Sequence, residues 1–333
     1  MKKRYVFILG LILMLFCGCG KKDESSVIKE VTKKVKDMDC YQITGLLNIT
    51  NNDDNYNYDV VASFEKDDNY RVSLTNKSNN HEQIILKNET GVYVVTPSLN
   101  KSFKFQSEWP HNNSQIYLLQ SLVEDLNNTE ERSFESNDDG YMITVKVNYP
   151  NNINLQKQRI YLDKNLNFKK VEVLDQNDIP NMTMEFTNID QNPVFQEQFF
   201  ELNSIIDQID VNDSSEESAG TINDIIYPLY IPVGTVLTDQ EKVSKDNGER
   251  IILTFDGEKP FLLVEETVSV EEEFSIIPTF GEPYMLGDTF GALTTNSISW
   301  SSNGIDYYIV SEVMNSLELI EIANSISAIP TMK

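Results

Sequence analysis

The chain has 333 residues, 52 acidic against 27 basic, for a formal charge of −25 at pH 7. So acidic a balance repels phosphate backbones, which excludes nucleic-acid binding, and offers no basic face for anionic lipid head groups. Hydrophobic residues at 40% and aromatics at 10% can supply a full core, which excludes a disordered chain and leaves room for one large or two ordinary domains.

The first segment reads as an export signal. Lys2, Lys3 and Arg4 form a positive start, and residues 5–16 form an apolar run of 12. That is too short to cross a bilayer as a helix, which takes roughly 20 apolar residues. The run ends in Leu15-Phe16-Cys17-Gly18-Cys19, which resembles a bacterial lipobox: an apolar residue, small residues, then the cysteine that takes lipid. Cys19 fits because Gly18 and Cys17 before it are small, whereas Cys17 would put Phe16 where a small residue belongs. Removal of the signal 1–18 leaves 315 residues and, with Lys2, Lys3 and Arg4 gone, a charge of −28. Acyl chains on Cys19, at ~0.8 kcal/mol per buried methylene, would hold the protein at the outer face of the cytoplasmic membrane. Residues 19–26 are then a polar tether. Only Cys40 keeps a thiol, so no internal disulfide or cysteine metal cluster forms. Beside Tyr41 it reads as a buried, inert thiol, with an intermolecular bond as the alternative.

Val27, Ile28, Val31, Val35 and Met38 recur at helical spacing, which predicts an amphipathic helix over 26–38 with Ser25 or Ser26 as its cap. Strand periodicity follows. Tyr41, Ile43, Leu47 and Ile49 alternate, then Tyr58, Val60, Ala62 and Phe64, then Tyr70, Val72 and Leu74, with Asn- and Asp-rich turns between them. Ile84-Ile85-Leu86 and residues 92–95 continue an antiparallel meander. After Trp109-Pro110, Asn113 or Ser114 can cap a helix with Leu118, Leu119, Leu122, Val123 and Leu126 on one face. Strands resume at 141–147, 155–162, 168–174 and 182–186, and the first domain, 27–202, closes near Phe199-Phe200. The polar, acidic stretch 203–222 reads as a linker to a small C-terminal α+β domain over 223–333. There Tyr227-Pro228-Leu229-Tyr230-Ile231-Pro232 is extended, and Asp256-Gly257 and Asn303-Gly304 mark two hairpins. A helix over 316–327 ends the chain. The fold class is mainly β, α+β in detail.

Motifs for catalysis are scarce. His81 and His111 are the only histidines and read as solvated loop residues, and no nucleophile elbow, P-loop or dinucleotide fingerprint occurs. Glu265-Glu266 and Glu271-Glu272-Glu273 read as a solvated acidic edge. Residues 51–55 and 137–140 lack the spacing of a calcium loop. These observations point to a protein that is not an enzyme and carries no cofactor or metal. What the pattern does offer is apolar concavity. A curved sheet crossed by an amphipathic helix makes either a dry core or a pocket, with Trp109, Leu118, Leu119, Leu122 and Leu126 on the helix side and Tyr41, Ile43, Tyr58, Val60 and Phe64 on the sheet side.

Residues 83–88, 91–107, Trp109-Pro110 and 114–122 resemble the LolA-like envelope lipoproteins of Gram-positive, often spore-forming bacteria, the group of the germination lipoprotein GerS and the sporulation protein YdcC. The likeness covers most of 27–202, and Tyr227-Pro228, Tyr230-Ile231-Pro232, Gly234-Thr235 and residues 249–261 are similar to the C-terminal region of the same lipoproteins. The resemblance implies a half-barrel, a curved antiparallel sheet with helices over its concave face, in a two-domain layout similar to the periplasmic regulator RseB. It implies two functions. One is a tethered scaffold for an envelope protein, a cell-wall amidase of the CwlD type in the germination branch. The other is a tethered binder of acyl lipid or lipoprotein chains. The anchor at Cys19 speaks against a soluble shuttle.

Overall fold

The computed structural model describes residues 22–51, 54–128, 131–150, 152, 154–209, 222, 224–245, 248–268 and 274–327. The signal, Cys19, most of the acidic stretch 203–222 and Glu271-Glu272-Glu273 lie outside the described residues.

Helix α1 (Glu24–Lys36) buries Val27, Ile28, Val31 and Val35. Its cap is Asp23, whose Oδ1 accepts the Ser26 N–H at 2.8 Å, and not Ser25 or Ser26. A carboxylate at this position, two residues before Ser25, also meets the positive end of the helix dipole, an advantage that a serine lacks. The strands are β1 (Cys40–Asn51), β2 (Asp54–Glu65), β3 (Asn69–Asn76), β4 (Glu82–Asn88), β5 (Gly91–Thr96) and β6 (Lys101–Phe105) before helix α2 (Leu119–Asn128). After it come β7 (Arg132–Ser136), β8 (Gly140–Lys146), β9 (Lys157–Asp163), β10 (Phe168–Leu174), β11 (Pro180–Asp190) and the short helix α3 (Leu202–Ile206). The C-terminal region holds β12 (Thr235–Lys245), β13 (Gly248–Gly257), β14 (Phe261–Thr267), β15 (Ser275–Thr279), β16 (Glu282–Leu286), β17 (Thr289–Leu293), β18 (Ser297–Ser302), β19 (Ile305–Val310) and helix α4 (Ser316–Ser327).

The protein is mainly β, built of open, curved sheets. Among the described residues the first sheet has 12 strands in the order β15-β6-β5-β4-β3-β2-β1-β11-β10-β9-β8-β7. Two meanders thus join where β11 pairs with β1, and α1 and α2 pack their apolar faces onto the core of this sheet. The second sheet runs β12-β13-β14-β19-β18-β17-β16, with Leu319, Ile320, Ile322, Ala323 and Ile326 of α4 in its core. Asn303 and Gly304, at φ 52° and 76°, form the left-handed pair that a two-residue hairpin requires.

Three features depart from the sequence expectation or go beyond it. Helix α2 starts at Leu119, because Ser114 spends its hydroxyl on Asp125 and the Leu119 N–H donates to Tyr41 Oη at 3.2 Å. Strand β15, from the C-terminal region, pairs in parallel with β6 and so extends the first sheet. The stretch read as linker begins inside α3, which with Phe200 covers Ile84, Leu86, Tyr93 and Val95. Strands β4 and β5 are therefore buried on both faces, which is why their apolar runs are continuous and do not alternate.

Candidate functional site

The concave face of the first sheet is filled. Leu118, Leu119, Leu122 and Leu126 are fully buried against Tyr41, Ile43, Tyr58, Val60 and Phe64 in one core. Tyr41 donates to Gln120 Oε1 at 2.6 Å while accepting from Leu119, so the sheet holds the helix by hydrogen bonds as well as by packing. All ten residues offered as pocket lining belong to this core, and of them only Trp109 also lines the cleft beside it. That cleft, of about 170 Å³, lies at the mouth of the half-barrel. Tyr56, Tyr117, Tyr149, Met182, Tyr284 and Met285 line it together with Trp109.

The mouth is narrowed by the β16–β17 hairpin. Met285, Phe290 and Ala292 from this hairpin pack on the core of the first sheet. Tyr58 Oη donates to the Gly287 carbonyl at 2.8 Å, Phe290 N–H donates to Gln83 Oε1 at 2.8 Å, and Asn112 Nδ2 donates to Glu282 Oε2 at 2.6 Å. Periodicity alone does not predict this hairpin. The signal available was Leu286-Gly287-Asp288 between Tyr284-Met285 and Phe290, a turn dipeptide with apolar residues on both sides.

Electrostatics set what the cleft can do. Burial pushes the Tyr149 and Tyr117 phenols well above their ordinary range and Tyr284 up to about 12, so all three stay neutral. The Tyr149 hydroxyl is buried and has no hydrogen-bond partner among the described residues. Beneath it lies Asp125, which accepts from Ser114 Oγ at 2.9 Å and from Gln158 Nε2 at 2.8 Å. Burial outweighs these bonds and lifts its carboxyl to about 7. This arrangement can receive an apolar group with one acceptor atom. Among the described residues no cluster of three or more His, Cys, Asp or Glu side chains is placed to hold a metal ion, and no helix is long and apolar enough to cross a membrane. His111 lies against Asp68 at 2.7 Å at the surface, and the Asn137 side chain accepts from Asp139 N and Gly140 N in a turn. Cys40 is half-buried, and its thiol is held above the usual range first by desolvation and then by Glu65, Asp39 and Asp190.

A second surface stands out for the opposite reason. In the stretch 227–237, Leu229 is 73% exposed, Val233 92% and Val236 62%, with Tyr227, Tyr230, Ile231 and Leu237 exposed beside them. This arm is fixed and extended. Pro228 and Pro232 are buried beneath it, Tyr227 Oη donates to Gln240 Oε1 at 2.8 Å, and the Ile226 N–H donates to the Glu265 carboxylate at 3.1 Å. Burial lifts Glu265 to about 7, against the lowering effect of that bond. Gly234 and Gly257 make the close turn that returns the chain into β12: a Cβ on Gly257 would lie 2.0 Å from the Gly234 carbonyl oxygen. Strand β12 itself is an edge, paired on one side with β13 and exposed along nearly its whole length.

Residues 1–200 match the family described as "Sporulation protein YdcC-like". The chain is also 34% identical over 329 residues to "Sporulation protein YdcC" of Bacillus subtilis (strain 168), across 97% of each chain. The chain belongs to the YdcC-like sporulation protein family. Among solved structures, it is similar to MucB in the Pseudomonas aeruginosa MucA/MucB complex at 13% identity and TM-score 0.32, covering 91% of this chain and 97% of that one. It is similar at 18% identity and TM-score 0.23 to a chain of the complex of the CwlD amidase from Clostridioides difficile with the GerS lipoprotein, covering 54% of this chain and 99% of that one.

Proposed function

We propose that this YdcC-like protein is a non-catalytic lipoprotein, anchored at Cys19 outside the cytoplasmic membrane, that holds another envelope protein on the apolar arm 227–237. The observation that carries the reading is the fixed arm: seven large apolar side chains exposed in one stretch, over two buried prolines. Contiguous apolar surface of this kind marks interaction sites, and a segment already extended loses little conformational freedom on binding. The edge of β12 beside it leaves backbone donors and acceptors for an added strand. A cell-wall amidase acting in sporulation or germination is the first partner to test, as the family resemblance implies.

The test is capture from envelope extract with the chain from Gly20 on, alongside the Leu229→Asp/Val233→Asp double variant. A cell-wall hydrolase retained in equal stoichiometry by the first and lost by the second supports the proposal; a hydrolase retained by both overturns the role of the arm. The anchor has its own test. Fatty-acid label is expected on the full chain and absent from Cys19→Ala, and label on the variant contradicts the assignment. A second reading, a tethered binder of acyl chains, has the cleft in its favour: aromatic and methionine walls and the unpaired Tyr149 hydroxyl. Its volume of about 170 Å³ falls below the roughly 300 Å³ at which ligand pockets begin, so it ranks second.

A further inference from the structure

The acidic composition conceals a local excess of positive charge next to the anchor. Residues 21–36 carry six lysines against Asp23, Glu24 and Glu30, in a chain whose formal charge is −25. Lys29, Lys33 and Lys36 stand at i, i+4 and i+7 of α1, which places them on one face, and all three are exposed. Together with Arg132 they line one open groove along α1. The acids nearby are Asp23, Glu24 and Asp37, which also line the groove, and Glu30. Glu24 is engaged by Arg132 at 2.9 Å, Asp23 caps the helix, and Glu30 pairs with Lys22. Lys34 points elsewhere, its Nζ donating to Asn167 Oδ1 at 2.6 Å. No ion pair engages Lys29, Lys33 or Lys36 among the described residues. Lys33 and Lys36 also complement the C-terminal end of the helix dipole, but Lys29, in mid-helix, has no such use.

We propose that this lysine face of α1 lies on the anionic lipid surface of the membrane and sets the orientation of the protein above it. The proposal rests on the anchor at Cys19 and adds what the protein does once tethered. Two arguments name the occupant. The first is distance: from Cys19 to Asp23 the chain has four residues, which at ~3.5 Å each reach at most about 14 Å. The start of α1 is thereby kept close to the screening length of about 8 Å within which an anionic membrane attracts lysines. The second is charge. The rest of the chain is strongly acidic and is repelled by the same surface, so the molecule is turned with α1 down and the acidic remainder away from the lipid.

The test supplies the tether chemically. The chain from Cys19 on, with Cys40→Ala, is coupled through Cys19 to a maleimide lipid in vesicles of phosphatidylcholine, or of phosphatidylcholine with one-third phosphatidylglycerol. Lysines are then acetylated by an amine-reactive ester and read individually by mass spectrometry. Lys29, Lys33 and Lys36 are expected to react about threefold more slowly on the anionic vesicles at low salt, and equally on both at 1 M salt. Lys77 and Lys242 are expected to be unaffected by lipid charge. Equal rates on both vesicles for the three α1 lysines overturn the proposal, even if Cys19 carries lipid in the cell. Conversely, an unlabelled Cys19 in the fatty-acid experiment removes the natural anchor without altering this result, so the two failures are told apart.

Discussion

The half-barrel and the arm of the C-terminal region use similar apolar residues to opposite ends. Leu118 and, on α2, Leu119, Leu122 and Leu126 are fully buried against the sheet, and the β16–β17 hairpin packs beside them at the mouth. On the arm, Leu229, Ile231 and Val233 face outward, although their backbone is held by buried prolines and by Glu265. A helix can turn its apolar stripe inward because its polar face satisfies the solvent side. An arm lying along the edge of a sheet has only one wall to bury against, so its second row of side chains stays exposed. The lesson is that in this protein the concave face is spent on the core, while an edge leaves large apolar side chains exposed.

Truncation sharpens the contrast most. Leu122→Ala is expected to cost about 2–5 kcal/mol in urea unfolding, because the void it leaves is enclosed on all sides. A cost under about 1 kcal/mol would mean that the concave face is loosely filled and would reopen the pocket. Next in size is Asp125→Asn. The Asp125 carboxyl is lifted from 3.8 to about 7 in the folded chain, so the native state holds a proton that the unfolded chain has released. Its contribution is therefore complete below pH 4 and is lost as pH rises through about 7. At about 1.4 kcal/mol per unit, discounted for partial solvent access, Asp125→Asn should gain about 2 kcal/mol relative to the parent at pH 8 and little at pH 4. Gln158 can accommodate the change by turning its amide, since its Oε1 has no partner at present. A pH-independent difference would contradict this account of the buried carboxyl.

Tyr58→Phe removes the bond to the Gly287 carbonyl and should cost about 1 kcal/mol, with faster hydrogen exchange confined to the β16–β17 hairpin. The smallest effect on stability is expected at the arm. Leu229→Asp should shift unfolding by less than about 0.5 kcal/mol, because the side chain is already in water, yet abolish partner capture. A large loss of stability there would make the arm part of the core.

Much of the fold could be read from periodicity. The alternation in β1, β2 and β3, the helix α1, the left-handed Asn303-Gly304 turn and the closing helix α4 all follow from local spacing. What could not be read is decided between distant segments. Nothing local announces that Tyr41 will anchor the Leu119 N–H, that residues 275–279 will pair with β6, or that Phe290 will meet Gln83. For the site, the apolar residues of the concave face were identified, but one stripe cannot tell a cavity from a core until the facing hairpin is known. The arm was recognised as extended from its prolines; its exposure depends on β12 being an edge. Likewise, the overall acidity gave no hint that Lys29, Lys33 and Lys36 would share a face, and the composition-based exclusion of a basic face does not extend to α1.

The most direct test of the arm as the partner-binding surface is site-specific photo-crosslinking in intact cells. A photoreactive residue at position 229 is compared with one at position 57, which lies on the first sheet away from the arm. The account predicts a crosslink from position 229 to one envelope protein, in a fixed ratio, and none from position 57. Crosslinks from position 229 to lipid alone, or to the same protein from both positions, would contradict it.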